Sequence, residues 1–125
     1  MGLMDLLFRG VRREAMAAVP SGAVLREGHV VGQGLANGGP AAMKGNGHLV
    51  LTGDELVFVL ALPRRTLRVP RTSIVEVDVT RRHAGQASGR RWVRVRFTGE
   101  DGREDAFAFD PLHEGPDRWV AAIGG

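Results

Sequence analysis

Apolar and polar residues alternate at period two along much of this 125-residue chain, most densely between Asn46 and Pro70. In residues 48–52, Leu49 and Leu51 alternate with His48 and Val50. In 55–62, Leu56, Phe58 and Leu60 alternate with Val57 and Val59. Both runs predict strands. Gly53 and Asp54 between them have the chemistry of a two-residue type II′ hairpin turn. Apolar residues on both faces of the second run place it inside a sheet, not at its edge.

The same pattern predicts five more strands. A weak one covers 29–35 through Val31 and Leu35, and a short one covers 66–69. In 73–80, Val75, Val77 and Val79 are expected inward, with Glu76 and Asp78 outward. In 91–98, Val93, Val95 and Phe97 share one face while Trp92, Arg94 and Arg96 share the other, and 103–109 turns Phe107 and Phe109 inward. The breaks are Asn37-Gly38-Gly39-Pro40, Pro63-Arg64-Arg65, residues 70–72, a Gly-, Ser- and Ala-rich loop at 81–90, and Asp101-Gly102.

Helical spacing occurs at the two ends. Leu3, Met4, Leu7, Phe8, Val11, Ala15 and Ala18 fall on one side of a helix over 3–19, opposite Asp5, Arg9, Arg12 and Arg13, and Pro20-Ser21-Gly22 ends it. A shorter helix begins at Pro116, carries Asp117 where the helix dipole favours an anion, and stops at Gly124. Its stripe of Trp119, Val120 and Ile123 predicts a plug over a barrel mouth, with the indole N–H reaching a partner. The chain therefore divides into an N-terminal helix and linker, 1–22, and one domain, 23–125.

Charge changes this picture little in total and more in placement. The formal net charge is +3, but ten Arg lie between Arg64 and Arg96 against Glu76 and Asp78, whereas the stretch from Glu100 to Asp117 is acidic. A basic middle and an acidic end can neutralise each other within one fold or between two copies. The absence of Cys excludes disulfides and thiolate metal sites. No run is long and apolar enough for a membrane span. Arg9, Arg12, Arg13 and Glu14 do not fit a signal peptide, and Leu6 does not fit a myristoylation motif. The expected location is the cytoplasm, with peripheral attachment at the inner membrane face as the alternative.

Candidate chemistry is sparse. His29, His48, His83 and His113 fall at no metal-ligand spacing, no nucleophile elbow occurs, and Gly32-Gln33-Gly34 lacks the third glycine and following helix of a dinucleotide site. No catalytic residue, metal, cofactor or small-molecule substrate is expected, and the chain reads as a binding protein, not an enzyme. The candidate surface is Trp92, Arg94 and Arg96, about 7 Å apart along one strand face, where Arg beside indole offers an anion or partner site. The alternative is an ordinary solvated face paired with Glu104 across the hairpin. Arg64 and Arg65 join the basic region, and Leu3, Leu7 and Phe8 supply a helix face for a membrane, a partner, its own domain or a second copy. Nucleic acid is not favoured, since only Trp92 offers stacking and no module signature is present.

Four segments together resemble the GRAM and bacterial pleckstrin-homology-like families: GHLVLT at 47–52, GDELVF at 53–58, VPRTSIVEV at 69–77 and DRWVAAI at 117–123. The resemblance covers about residues 24–123. It implies a mainly β fold, a bent barrel of seven strands in two near-orthogonal antiparallel sheets capped by the C-terminal helix. Its loops would bind lipid head groups, peptides or proteins, and it implies no catalysis. The phosphoinositide pattern of basic residues in the first two strands is missing: only Lys44 precedes Gly47, and 48–52 contains no Arg or Lys. The resemblance thus favours an interaction module that binds a protein partner or its own copy, with an anionic membrane surface as the alternative.

Overall fold

The computed structural model describes residues 24–37 and 42–124. Its elements are β1 (Leu25–Leu35), β2 (Lys44–Leu51), β3 (Glu55–Leu60), β4 (Arg65–Pro70), a single 3-10 turn (Arg71–Ser73), β5 (Ile74–His83), β6 (Gln86–Thr98), β7 (Glu104–Pro111) and α1 (Pro116–Gly124). All seven strands pair antiparallel in one continuous sheet of order β4-β3-β2-β1-β7-β6-β5. β1 is the seam between two meanders, β2 to β4 and β5 to β7. The expected helix over 3–19 lies outside the described residues.

The sheet curls so that one face encloses the core. Leu49, Leu51, Leu56, Phe58, Leu60 and Val69 come from one meander, and Val93, Val95, Phe97, Phe107 and Phe109 from the other. Trp119 and Ile123 of α1 close the enclosure. An aromatic chain runs through it: Phe58 to Phe107 at 5.0 Å, Phe107 to Phe109 at 5.8 Å, and Phe109 edge-on to Trp119 at 5.8 Å. Each such side chain stabilises the fold by about 1.5–3 kcal/mol when fully buried. Trp119 is the expected plug, and its indole N–H donates to Glu27 Oε1 at 2.9 Å.

Several details differ from expectation. β1 is no weak strand: it spans eleven residues and pairs on both sides. The 52–55 turn has two central residues but is not type II′, because Gly53 has no positive φ; instead Thr52 Oγ1 accepts from the N–H groups of Asp54 and Glu55. The expected loop at 81–90 is the tip of a hairpin, turning at Ala84 and Gly85, both with positive φ as a tight two-residue turn requires. Long-range bonds hold this small-residue stretch: His83 Nε2 lies 2.7 Å from Gly34 O, and Lys44 Nζ reaches Gln86 Oε1. A register shift between Ile74 and Glu76 resets the alternation in β5, so Val75 is 54% exposed instead of inward, while Ile74 and Val77 pack on the core.

Candidate functional site

The face of β5, β6 and β7 turned away from the core carries the expected Arg pair, but its charges are already matched. β5 and β6 are in register with Asp78 opposite Arg94 and Glu76 opposite Arg96. Arg94 grips Asp78 with two bonds, Nη2 to Oδ2 at 2.8 Å and Nε to Oδ1 at 3.2 Å. Arg96 lies between two strands' acids, Nη1 3.3 Å from Glu76 Oε2 and Nε 2.9 Å from Glu104 Oε1. The Glu104 contact lies off the N–H direction and is ionic in character. The other two Arg of β6 are also paired: Arg91 with Asp117 in α1 at 2.8 Å, and Arg90 with the buried carboxylate of Asp110. Hydrogen bonding to Asp110, and then its charge, hold the Arg90 guanidinium above its ordinary pKa.

Trp92 shares the alternation of Arg94 and Arg96 but is not on a solvated face: it is 6% exposed. The structure therefore does not assemble Trp92, Arg94 and Arg96 into an open stacking platform. It joins Arg94 and Arg96 to acids across the hairpin, as the alternative reading of this face anticipates for Glu104. Arg64 and Arg65 lie elsewhere, at the exposed β3–β4 turn beside Leu62, itself 64% exposed. Among the described residues neither meets a carboxylate. Leu3, Leu7 and Phe8 lie outside the described residues.

Three features went unread in the sequence. The first is Glu27, a buried carboxylate in β1 that accepts from the N–H groups of His113 and Glu114 at 3.0 and 3.1 Å, and from Trp119. The only signal was an acid two residues after Leu25, on the face that alternation turns inward. The second is the outer edge of β5, which ends the sheet. The third is a cleft of about 660 Å³ lined by Glu55, Arg68, Pro70, Thr72, Phe97 and Glu100, where the two meanders part. Its charged pair, Arg68 and Glu55 at 2.6 Å, is satisfied within the cleft. Among the described residues no three His, Cys, Asp or Glu side chains are placed to share a metal ion, and no helix is long and apolar enough to cross a membrane.

Because the Arg94 and Asp78 side chains are about one-third exposed, their pair is expected to contribute at most about 1 kcal/mol. Arg94→Ala and Asp78→Ala should each lower the urea midpoint slightly, the double variant by less than the sum, and the coupling should shrink at high salt.

No protein-family model matches this chain, and no curated protein matches it in sequence.

Proposed function

We propose that this chain is a non-catalytic interaction module on a pleckstrin-homology-like, GRAM-like scaffold, docking onto a protein partner or its own copy through an open sheet edge. The observation that carries this reading is β5: a ten-residue strand at the end of the sheet with Val75 half exposed. Among the described residues no strand pairs with its outer edge, and an unpaired edge of that length is a template for a further strand. The opposite edge, β4, is a poorer one, being six residues long, bearing Arg65 and Arg68 and ending in Pro70, all features that blunt an edge. The charge order of β5 also suits a second copy. Glu76 and Asp78 precede Arg81 and Arg82, so two antiparallel β5 strands set acids against Arg in both directions.

The scaffold assignment is supported by seven antiparallel strands followed by a helix whose Trp119 is sealed in the core. A seam strand joining two three-stranded meanders is what two sheets packed at a steep angle require. The families it resembles differ in ligand while sharing architecture, so the function rests on the edge and not on the fold name.

Sedimentation from low micromolar to millimolar concentration tests the reading. The chain is expected to form a dimer, and Val75→Lys, which puts a charge on the exposed edge, to remain a monomer. A wild-type chain that stays monomeric, with β5 amide resonances unmoved by cell extract, overturns it. Flotation with anionic vesicles is the competing arm, drawing on Leu62, Arg64 and Arg65; flotation abolished by Arg64→Glu with Arg65→Glu puts a membrane in place of the protein partner.

A further inference from the structure

The hairpin of β5 and β6 carries a cationic surplus at one place. Pairing runs regularly to Thr80 opposite Trp92 and resumes with Arg82 opposite Ala87, so a single residue of β5, Arg81, stands against residues 88–91 of β6. A bulge of this kind bends the strand and re-aims the side chains beside it. In a regular strand Arg81 and Arg82 would point to opposite faces; here both line one shallow hollow of about 600 Å³, together with Arg91, Thr80 and Val79. The backbone there is tied down locally. Thr80 Oγ1 accepts from the Arg82 N–H at 3.1 Å and donates to the Arg82 carbonyl at 2.9 Å, while Arg81 Nη1 donates to Gly89 O across the bulge.

The other Arg of β6 are matched, Arg90 by Asp110, Arg94 by Asp78, and Arg96 by Glu76 and Glu104. Around the hollow the balance is different. Asp117 answers Arg91 at 2.8 Å through a pair whose side chains are both exposed, and among the described residues no acid reaches Arg81 or Arg82. We propose that Arg81, Arg82 and Arg91 form a binding site for a phosphate monoester. Three guanidiniums against one carboxylate leave a surplus of two positive charges. A phosphate monoester carries about 1.5 to 2 negative charges at neutral pH, whereas a carboxylate carries one. Its three acceptor oxygens also suit the planar N–H forks of several Arg. A nucleic acid strand is poorly served, since the neighbouring indole of Trp92 is buried and offers no base a stacking surface. The same phosphate group occurs on soluble esters and on lipid head groups, and the experiment separates the two.

Titration of the full-length chain with inorganic phosphate, followed by Arg Nε–H and backbone amide resonances, tests the site. It is run on the Val75→Lys chain, so its result stands or fails separately from docking at β5. Saturable shifts are expected at Arg81, Arg82 and Arg91, and acetate at matched ionic strength should not reproduce them. Arg82→Gln removes a guanidinium that meets no partner among the described residues, and is expected to weaken phosphate binding about fivefold. Arg64→Gln with Arg65→Gln removes more charge at the β3–β4 turn and should leave the affinity nearly unchanged. Asp117→Asn frees Arg91 and should tighten binding about twofold, a gain that a merely structural arginine would not give. Flotation with vesicles of phosphatidic acid in phosphatidylcholine, lost in Arg82→Gln, assigns the phosphate to a lipid head group; phosphate binding without flotation assigns it to a soluble ester. No saturable response to phosphate, an equal response to acetate, or an affinity unchanged by Arg82→Gln overturns the proposal, and an Asp117→Asn chain that binds no tighter overturns the role of Arg91.

Discussion

Replacing Glu27 by alanine is expected to cost about 3 kcal/mol of folding free energy, read as a lower urea midpoint at an unchanged denaturant slope. The carboxylate is 3% exposed and accepts three bonds, two from the backbone just before α1 and one from the Trp119 indole. Truncation orphans the buried Trp119 donor and takes the acceptor from the two part-buried backbone donors, and a buried orphaned donor costs more than the bond was worth. Glu27→Gln keeps one acceptor oxygen in the same shape and is expected to cost roughly half as much. If alanine costs less than about 1 kcal/mol, the helix is held by apolar packing alone and the latch is incidental.

A methyl group added at Gly47 is expected to be nearly as damaging, at about 3 kcal/mol, by the same unfolding measurement. An added Cβ would lie 2.4 Å from the carbonyl oxygen of Val59 and 2.7 Å from the Phe58 ring. Neither obstacle is free to yield: one is backbone in the paired strand β3, and the other is a fully buried ring wedged against Phe107. Gly53→Ala is the control, because nothing lies within 4 Å of its added Cβ and its φ is ordinary. That change is expected to be neutral or slightly stabilising. Equal effects at the two positions would mean that chain flexibility, not the close approach at Phe58, governs glycine in this sheet.

How far the sequence could be read depended on how local each feature was. The central hairpin, the strands around Val93 and Phe107, and the helix carrying Trp119 all announce themselves within ten residues, through period two or period 3.6. β1 did not, because its glycines hide the pattern: a Cβ at Gly32 would collide with the Met43 carbonyl and then press on the Phe58 ring, reasons that lie elsewhere in the sheet. The hairpin tip at 81–90 looked like a loop because its order comes from Gly34, Lys44 and Asp110, all distant in sequence. Trp92 alternates with Arg94 and Arg96, but alternation assigns a face and says nothing of what covers it. The neutralisation of that face was within reach, since Glu76, Asp78, Arg94 and Arg96 all point the same way once the β5–β6 register is known. Glu27 was the hardest: an acid facing a core has no meaning until its three donors, more than 80 residues away, are in place.

The position of β1 has a consequence for how the chain reaches this structure. Each meander is built from neighbours in sequence and can zip locally, but the sheet is continuous only when β1, near residue 30, has met β7, near residue 110. That closure spans most of the domain, and its entropy is lost before any seam contact forms. The core shares the dependence, since Phe58 meets Phe107 across the same seam. Folding is therefore expected to be limited by the meeting of the two ends of the domain, and a newly made chain cannot complete its core until β7 and then Trp119 and Ile123 of α1 have been synthesised.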